Sequence, residues 1–323
     1  MKRMLCAAAL SAATLAAALP AMAQAPYPNR PVKLVVGYPP GGPVDITARE
    51  LAKVLSQSLG AQVVVDNRPG ATGIVGNEVV AKSPPDGYTL VMAASPMVVH
   101  ETLYEKLPYD TLRDFTFIGT IASAPLLLVA PPGSHATNVK ELIAMAKAKP
   151  GALSYASPGT GSVNHLAAES LKTMSGIDAV HVPYKGAAPA ETDVMGGRVA
   201  FMFDTIPSAM PKVRAGQMRA LAVTSSKRTS IAPDIPTVAE QGLPGFDAIT
   251  WYGIMGPANL PPDIAARLNS ELDKALQSPA FRERLTALRL EPMPGTPQQF
   301  MQFYRTETVK WGKVVKSSGA KAD

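Results

Sequence analysis

The sequence has almost no cysteine. The only one, Cys6, lies near the N-terminus, so the rest of the chain has none. That excludes a disulfide framework and removes thiolates as metal ligands. Histidine is also scarce. The four histidines show neither H-x3-H nor H-E-x-x-H spacing, which argues against a metal site. No block of Lys and Arg occurs, so nucleic acid is not an expected partner. Beyond the N-terminal segment, no apolar run approaches the about 20 residues of a membrane span. The G-x-S-x-G elbow of a hydrolase is missing, and no acid–base constellation stands out.

What is present begins with a leader. Lys2 and Arg3 precede an Ala- and Leu-rich run from Leu5 to Leu19, then Pro20 and the small-x-small site Ala21-Met22-Ala23. This reads as a secretory signal peptide over residues 1–23, cleaved before Gln24; a membrane anchor fits the Pro20 and Ala-Met-Ala pattern less well. Cys6 is misplaced for a lipoprotein site. Export without disulfides points to a bacterial periplasm and a core large enough to need no staples. Without Lys2 and Arg3 the net charge falls from +6 to +4, a mild and scattered excess. With 46% hydrophobic residues the chain has material for packed cores. About 300 mature residues suggest two domains.

The mature chain repeats one pattern: apolar run, small-residue loop, amphipathic helix. "VKLVVGY", "QVVVDN" and "YTLVMAAS" read as strands separated by helices, one carrying Ala48, Leu51, Ala52, Leu55 and Leu59 and one over 74–82. This is βαβαβ, the core of a parallel, helix-covered sheet. A second α/β unit is expected from "PLLLVAPPG" at Pro125, with later strands "LSYASP", "DAVHVPY", "RVAFMFD" and "MRALAVTSS". "ITWYGIMGP" reads as a return crossing, followed by helices over 262–277, 281–288 and 298–316. Two such units joined by two crossings form a cleft beyond the carboxyl ends of their strands. Trp251, beside the second crossing, is expected to sense closure more than Trp311.

The strand-to-helix corners carry the chemistry. In "GYPPGGPVD", Gly41 and Gly42 bare the backbone before a helix, and Pro43 suits its first turn. Free N–H groups at a helix N-terminus bind anions. Asp45 is read as a local cap or a partner of the loop backbone, with direct ligand contact the lesser alternative. "SPGTGSVNHL" repeats the design in the second unit, with Ser162 at the helix start. It half matches a dinucleotide loop, but Asn164 stands at the last glycine position. "YKGAAPAETD" and "FDTIPSAM" are further corners, with Asp204 and Thr205 at a strand end. His165 is badly aimed to serve Ser162 as a base and is read as a surface or helix-packing residue. His100, His135 and His181 are read as isolated, and Glu169 and Glu191 as solvated helix positions.

Five segments, "YPNRPVKLVVGYPPGGPVDITARELA", "VVVDNRPGATGIVGNEVVAKSPPDGYTL", "YASPGTGSVNHLAAESLK", "HVPYKGAAPAETDVMGGRV" and "PTVAEQGLPGFDAITWYGIMGPANLPPDI", span almost the whole mature chain. In this set and order the chain closely resembles the Bug family, the extracytoplasmic solute receptors of tripartite tricarboxylate transporters. One departure is Gly37-Tyr38, where the family usually has a Pro-Phe pair. The resemblance implies an α/β, two-lobed, flytrap-like (type II) periplasmic binding fold with a ligand cleft between two doubly wound lobes. The lobes are expected as residues 24–123 plus 251–323 and 124–250. The implied function is capture of a small organic acid (a mono-, di- or tricarboxylate) for membrane permease subunits, by a periplasmic monomer without cofactor or metal. The alternative, a sensory module presenting the same ligand to a membrane sensor kinase, would use the same cleft and stays open. Carried over by motif, the first lobe offers Tyr38, Gly41, Gly42, Asp45, Ala94 and Ser95. The second offers Ser157, Thr160, Gly161, Ser162, Tyr184, Lys185, Gly186, Pro189, Asp204 and Thr205. Lys185 is either an ion-pair partner of the ligand or an exposed corner lysine.

Overall fold

The computed structural model describes residues 27–319; the leader expected over 1–23 lies outside the described residues. Strand β1 (Val32–Val36) is buried except at Lys33, as a strand covered on both faces must be. It pairs in parallel with β2 (Val63–Asn67) and β3 (Thr89–Ala94), so the expected βαβαβ unit is present. The connecting helix Pro43–Leu59 buries Ala48, Leu51, Ala52, Leu55 and Leu59 and stops at Gly60, whose φ is 69°.

The largest difference from sequence expectation is β4. It begins at Phe115, not Pro125, and runs unbroken to Ala130. Its first part, to Pro125, pairs antiparallel with β9 (Ile249–Pro257), which in turn pairs antiparallel with β3. Its last part, from Leu126, pairs with β7 (Phe201–Thr205) and β8 (Arg219–Val223). Pro125 sits where the strand changes partners, a place where a missing N–H is tolerated. Parallel strands β5 (Ser154–Ser157) and β6 (Val180–Pro183) follow β7, and the two-residue β10 (Glu291–Pro292) adds to β4. The strand order is β2-β1-β3-β9-β4-β7-β5-β6, two helix-covered sheets sharing one long strand.

The C-terminal helix Pro297–Ser318 starts at a capping box of Thr296 and Gln299. Trp311, Val314 and Val315 on this helix join one core with Leu166, Ala167 and Leu171 of the helix Val163–Ser175. Trp251 is fully buried among Phe300, Phe303 and Tyr304. Trp311, by contrast, lines a narrow seam with Ser95, Pro96, Gly161 and Leu166. Of the two buried tryptophans, Trp311 is the one on this seam. Proximity along the chain to a crossing put Trp251 first, but packing puts Trp311 where the two units touch. Among the described residues no helix is long and apolar enough to cross a membrane.

Candidate functional site

A cavity of about 360 Å³ lies between the two units. One wall is Pro158 to Ser162, between β5 and the helix Val163–Ser175; the other is Thr72, Pro96, Val99, Leu103 and Tyr104. Its volume is in the range of small-molecule sites. No charged side chain is among these lining residues.

On the Pro158–Ser162 wall, Gly161 has a φ of 78° and donates its N–H to His165 Nδ1 at 3.2 Å. Ser162 is the N-cap: its hydroxyl accepts from His165 N at 3.2 Å and donates to Gly159 O at 2.7 Å. The exposed Thr160 borders the cavity beside them. No acidic residue occupies the first turn of this helix. Behind the loop the His165 ring stacks on His181 at 4.1 Å, and Tyr155 stacks on His181 at 4.9 Å. Burial, then the neighbouring His181, lowers His165 to about 4, so its imidazole is neutral at pH 7. His165 is thus a helix-packing residue, whereas His181 is not isolated. Ser157 Oγ lies 2.7 Å from His181 Nε2, but Ser157 is completely buried and no substrate can reach it.

The opposite wall grows from the corner after β2. Ala71 and Thr72 have φ of 45° and 51°, positions that non-glycine residues rarely take. The Tyr38 hydroxyl donates to Thr72 O at 2.8 Å, so Tyr38 supports the wall one bond behind it. Burial raises Tyr38 well above the usual tyrosine range. Gly37 is needed here, because a Cβ on it would stand 2.6 Å from Gly73 Cα.

Other expected residues fall elsewhere. Gly41, with φ 81°, donates its N–H to Asp45 Oδ2 at 2.9 Å. Gly42 is the N-cap of the helix Pro43–Leu59 and is half-buried. Asp45 is buried and also accepts from Asn67 Nδ2 and Arg49 Nε, both at 2.9 Å. Burial alone would raise its pKa, but these bonds hold it at about 2. Ala94 and Ser95 are buried where β3 ends, Ser95 on the seam beside the cavity.

The corner after β6 is tied to the cavity loop from behind. Gly186 donates its N–H to Pro158 O at 3.0 Å, and the Ser157 carbonyl accepts from Tyr184 N at 3.0 Å. The Tyr184 hydroxyl donates to Asp193 Oδ2 at 2.6 Å. Lys185 and Pro189 are exposed. Asp204 is buried, with Oδ1 accepting from Thr205 N at 2.7 Å. Burial and the adjacent Glu191 push Asp204 above the usual carboxylate range. Thr205 is exposed at the start of the next helix.

The cavity therefore gathers Thr160, Gly161 and Ser162, with Ser95 and Tyr38 adjoining, whereas Gly41, Gly42, Asp45, Ala94, Ser157, Tyr184, Lys185, Gly186, Pro189, Asp204 and Thr205 do not line it. Thr72 and Tyr104 are additions that sequence reasoning missed. "RPGATG" has the same glycine-bearing strand-to-helix form as the other corners, so Thr72 had a signal; Tyr104 had none. Glu169 and Glu191 are buried rather than solvated, paired with Lys172 at 2.8 Å and Lys212 at 2.9 Å.

Two α/β units with a small-molecule cavity between them define a two-lobed solute-binding fold. Residues 47–320 match the family described as the tripartite tricarboxylate transporter family receptor. The chain belongs to that family, and is a solute-binding receptor rather than an enzyme. It is 39% identical to BugT of Bordetella pertussis, covering 99% of both chains. Among solved structures, R. palustris Rpa4515 with adipate shares 36% identity at a TM-score of 0.75, covering 91% of this chain and 99% of that one. MatC from Rhodopseudomonas palustris with bound malate shares 31% identity at a TM-score of 0.71, covering 90% and 100%.

Proposed function

We propose that this chain is an exported receptor that closes its lobes on a small organic acid and delivers it to the membrane permease subunits of a tripartite transporter. The observation that carries the reading is the cavity itself. A thirteen-residue helix points its N-terminus at it, has no acid in its first turn, and is flanked by Thr160 and Ser162. Such a terminus favours an anion by about 0.3–2 kcal/mol. Hydrogen bonds to a charged group add roughly 1.5–3 kcal/mol each. Three or four of them, about 4.5–12 kcal/mol together, can exceed the about 8 kcal/mol of micromolar binding and leave a margin for closure at the upper end. An arginine in the cavity is not required.

In this reading the lobes are residues 24–123 plus 251–323 and 124–250, turning about β4 and β9, and the receptor is a monomer. Cleavage before Gln24 releases it into the periplasm. The relatives solved with adipate and malate make those two acids the first probes. Calorimetry with adipate, malate and a panel of mono-, di- and tricarboxylates is expected to give saturable binding to at least one acid. No heat from any of them would overturn the carboxylate reading. Mass spectrometry of periplasmic protein is expected to find an N-terminus at Gln24.

A further inference from the structure

Behind the Thr72 wall a chain of hydrogen bonds runs back into the core. Asn77 Nδ2 donates to the Tyr109 hydroxyl oxygen at 2.9 Å, and both residues are buried. His100 Nδ1 lies 3.0 Å from the same oxygen, and the arrangement that gives every proton of the chain a partner points the hydroxyl proton at Nδ1. A bare Nδ1 fixes the imidazole proton on Nε2, which faces Thr72 Oγ1 at 3.3 Å. Thr72 Oγ1 in turn donates to Ala71 O at 2.8 Å. The chain has one direction, from Asn77 to the cavity edge.

That direction has a consequence for the cavity. The single proton of the Thr72 hydroxyl is committed to Ala71 O, so Thr72 has none left for a ligand. The 3.3 Å contact between the Tyr104 hydroxyl and Thr72 Oγ1 is therefore made with the Tyr104 proton, a long bond on the cavity wall that an incoming carboxylate can take over. Its ring is held edge-on to the His100 ring, with centroids 5.9 Å apart and planes at 90°. His100 is 1% exposed, and burial lowers it to about 4, so it does not change charge near neutral pH.

We propose that His100 is a positioning residue which, through this chain, holds the Thr72 corner and leaves the Tyr104 hydroxyl as the donor that the wall opposite Ser162 offers to a ligand carboxylate. The inference rests on the carboxylate-receptor reading above, and the test separates the two.

The first arm needs no ligand. Two-bond nitrogen–proton NMR correlations on the whole mature protein read the His100 tautomer, assigned with His100→Gln. The expected result is an Nε2–H tautomer that Tyr109→Phe disturbs. An Nδ1–H tautomer, or one indifferent to Tyr109→Phe, overturns the chain. The second arm is calorimetry with adipate and malate. Tyr104→Phe is expected to weaken whichever acid binds by about tenfold or more. His100→Leu should weaken it as well, while His100→Gln, whose amide can still donate to Thr72, restores most of the loss. Unchanged affinity in Tyr104→Phe overturns the donor role. If wild-type protein binds neither acid nor any other carboxylate, the receptor reading fails, and the tautomer arm alone decides whether His100 positions the corner.

Discussion

The corners at Gly41 and Gly161 are built alike. Both glycines are left-handed, with φ of 81° and 78°, and each gives its N–H to the side chain four residues on. In the first corner that acceptor is the Asp45 carboxylate; in the second it is the neutral His165 imidazole. The difference decides which corner suits an anionic ligand. Asp45 already supplies a negative charge to the helix N-terminus beside it, so that site has a resident anion. The second corner satisfies its glycine without charge and leaves the helix terminus electrostatically open. The sequence presents the two corners as one design repeated, one in each unit. The geometry makes them unequal, and only the second lines the cavity.

The most severe way to test this inequality is to make the second corner resemble the first. Ser162→Asp retains an N-cap acceptor, so the helix should keep its stability. It also places a carboxylate where the ligand's would lie. Two such charges about 4 Å apart repel by about 4 kcal/mol at intermediate dielectric. Binding of the preferred acid is expected to fall by on the order of a hundredfold or more, with only a modest fall in Tm from the lost Ser162 bond to Gly159 O. Calorimetry and a melt on one sample check both; undiminished binding would place the anion elsewhere.

The converse change removes the resident anion. Asp45→Asn is expected to cost stability, not affinity. Asp45 is buried and its pKa lies at about 2, against an ordinary value of 3.8. That corresponds to about 2 kcal/mol. Because the folded-state pKa is depressed, the contribution is complete above about pH 4 and is lost as pH falls toward 2. Denaturant melts of both proteins should therefore differ at pH 6 and converge near pH 2. A smaller effect is optical: ligand should change the fluorescence of Trp311, on the seam beside Gly161, and leave buried Trp251 nearly silent. Trp311→Phe should abolish the change, and Trp251→Phe should not.

How far the sequence could be read follows from the kind of pattern each part carries. β1 and β3 were legible because strands covered on both faces are apolar runs punctuated by helices, and the edge strand β2, with Val64 exposed, was legible from its β-branched run Val63–Val65. The first part of β4 was not. Gly119 lies inside it, its register shifts between Phe117 and Gly119 and again between Thr120 and Ala122, and its apolar alternation is interrupted there. Pro125 then looked like a strand start, whereas it marks a change of partner. In the site, Gly161 and Ser162 were legible because a glycine corner before a helix has a local signature. Tyr104 reaches the cavity only because the segment Ser95–Val99 turns as a 3-10 helix into Leu103, and that placement depends on packing rather than on neighbouring residues.

The smallest expected effect probes the two corners inside one molecule. Each glycine amide should report the titration of its own acceptor. Burial and His181 lower His165 to about 4, so above that pH Nδ1 accepts the Gly161 N–H. Below it both ring nitrogens carry protons, and Gly161 faces a donor. Asp45 at about 2 keeps accepting from Gly41 through that same range. The signs agree with the global stability. A histidine whose folded pKa is depressed contributes fully above its unfolded value near 6.5, and the contribution is lost as pH falls toward 4. Amide chemical shifts followed by NMR from pH 7 to pH 3 should therefore move for Gly161 near pH 4, while Gly41 stays still. The protein must remain folded through the titration, which the other amides report. Simultaneous movement of both glycines would mean that the corners are not electrostatically distinct. A shift at Gly41 alone would reverse the assignment and make the first corner the open one.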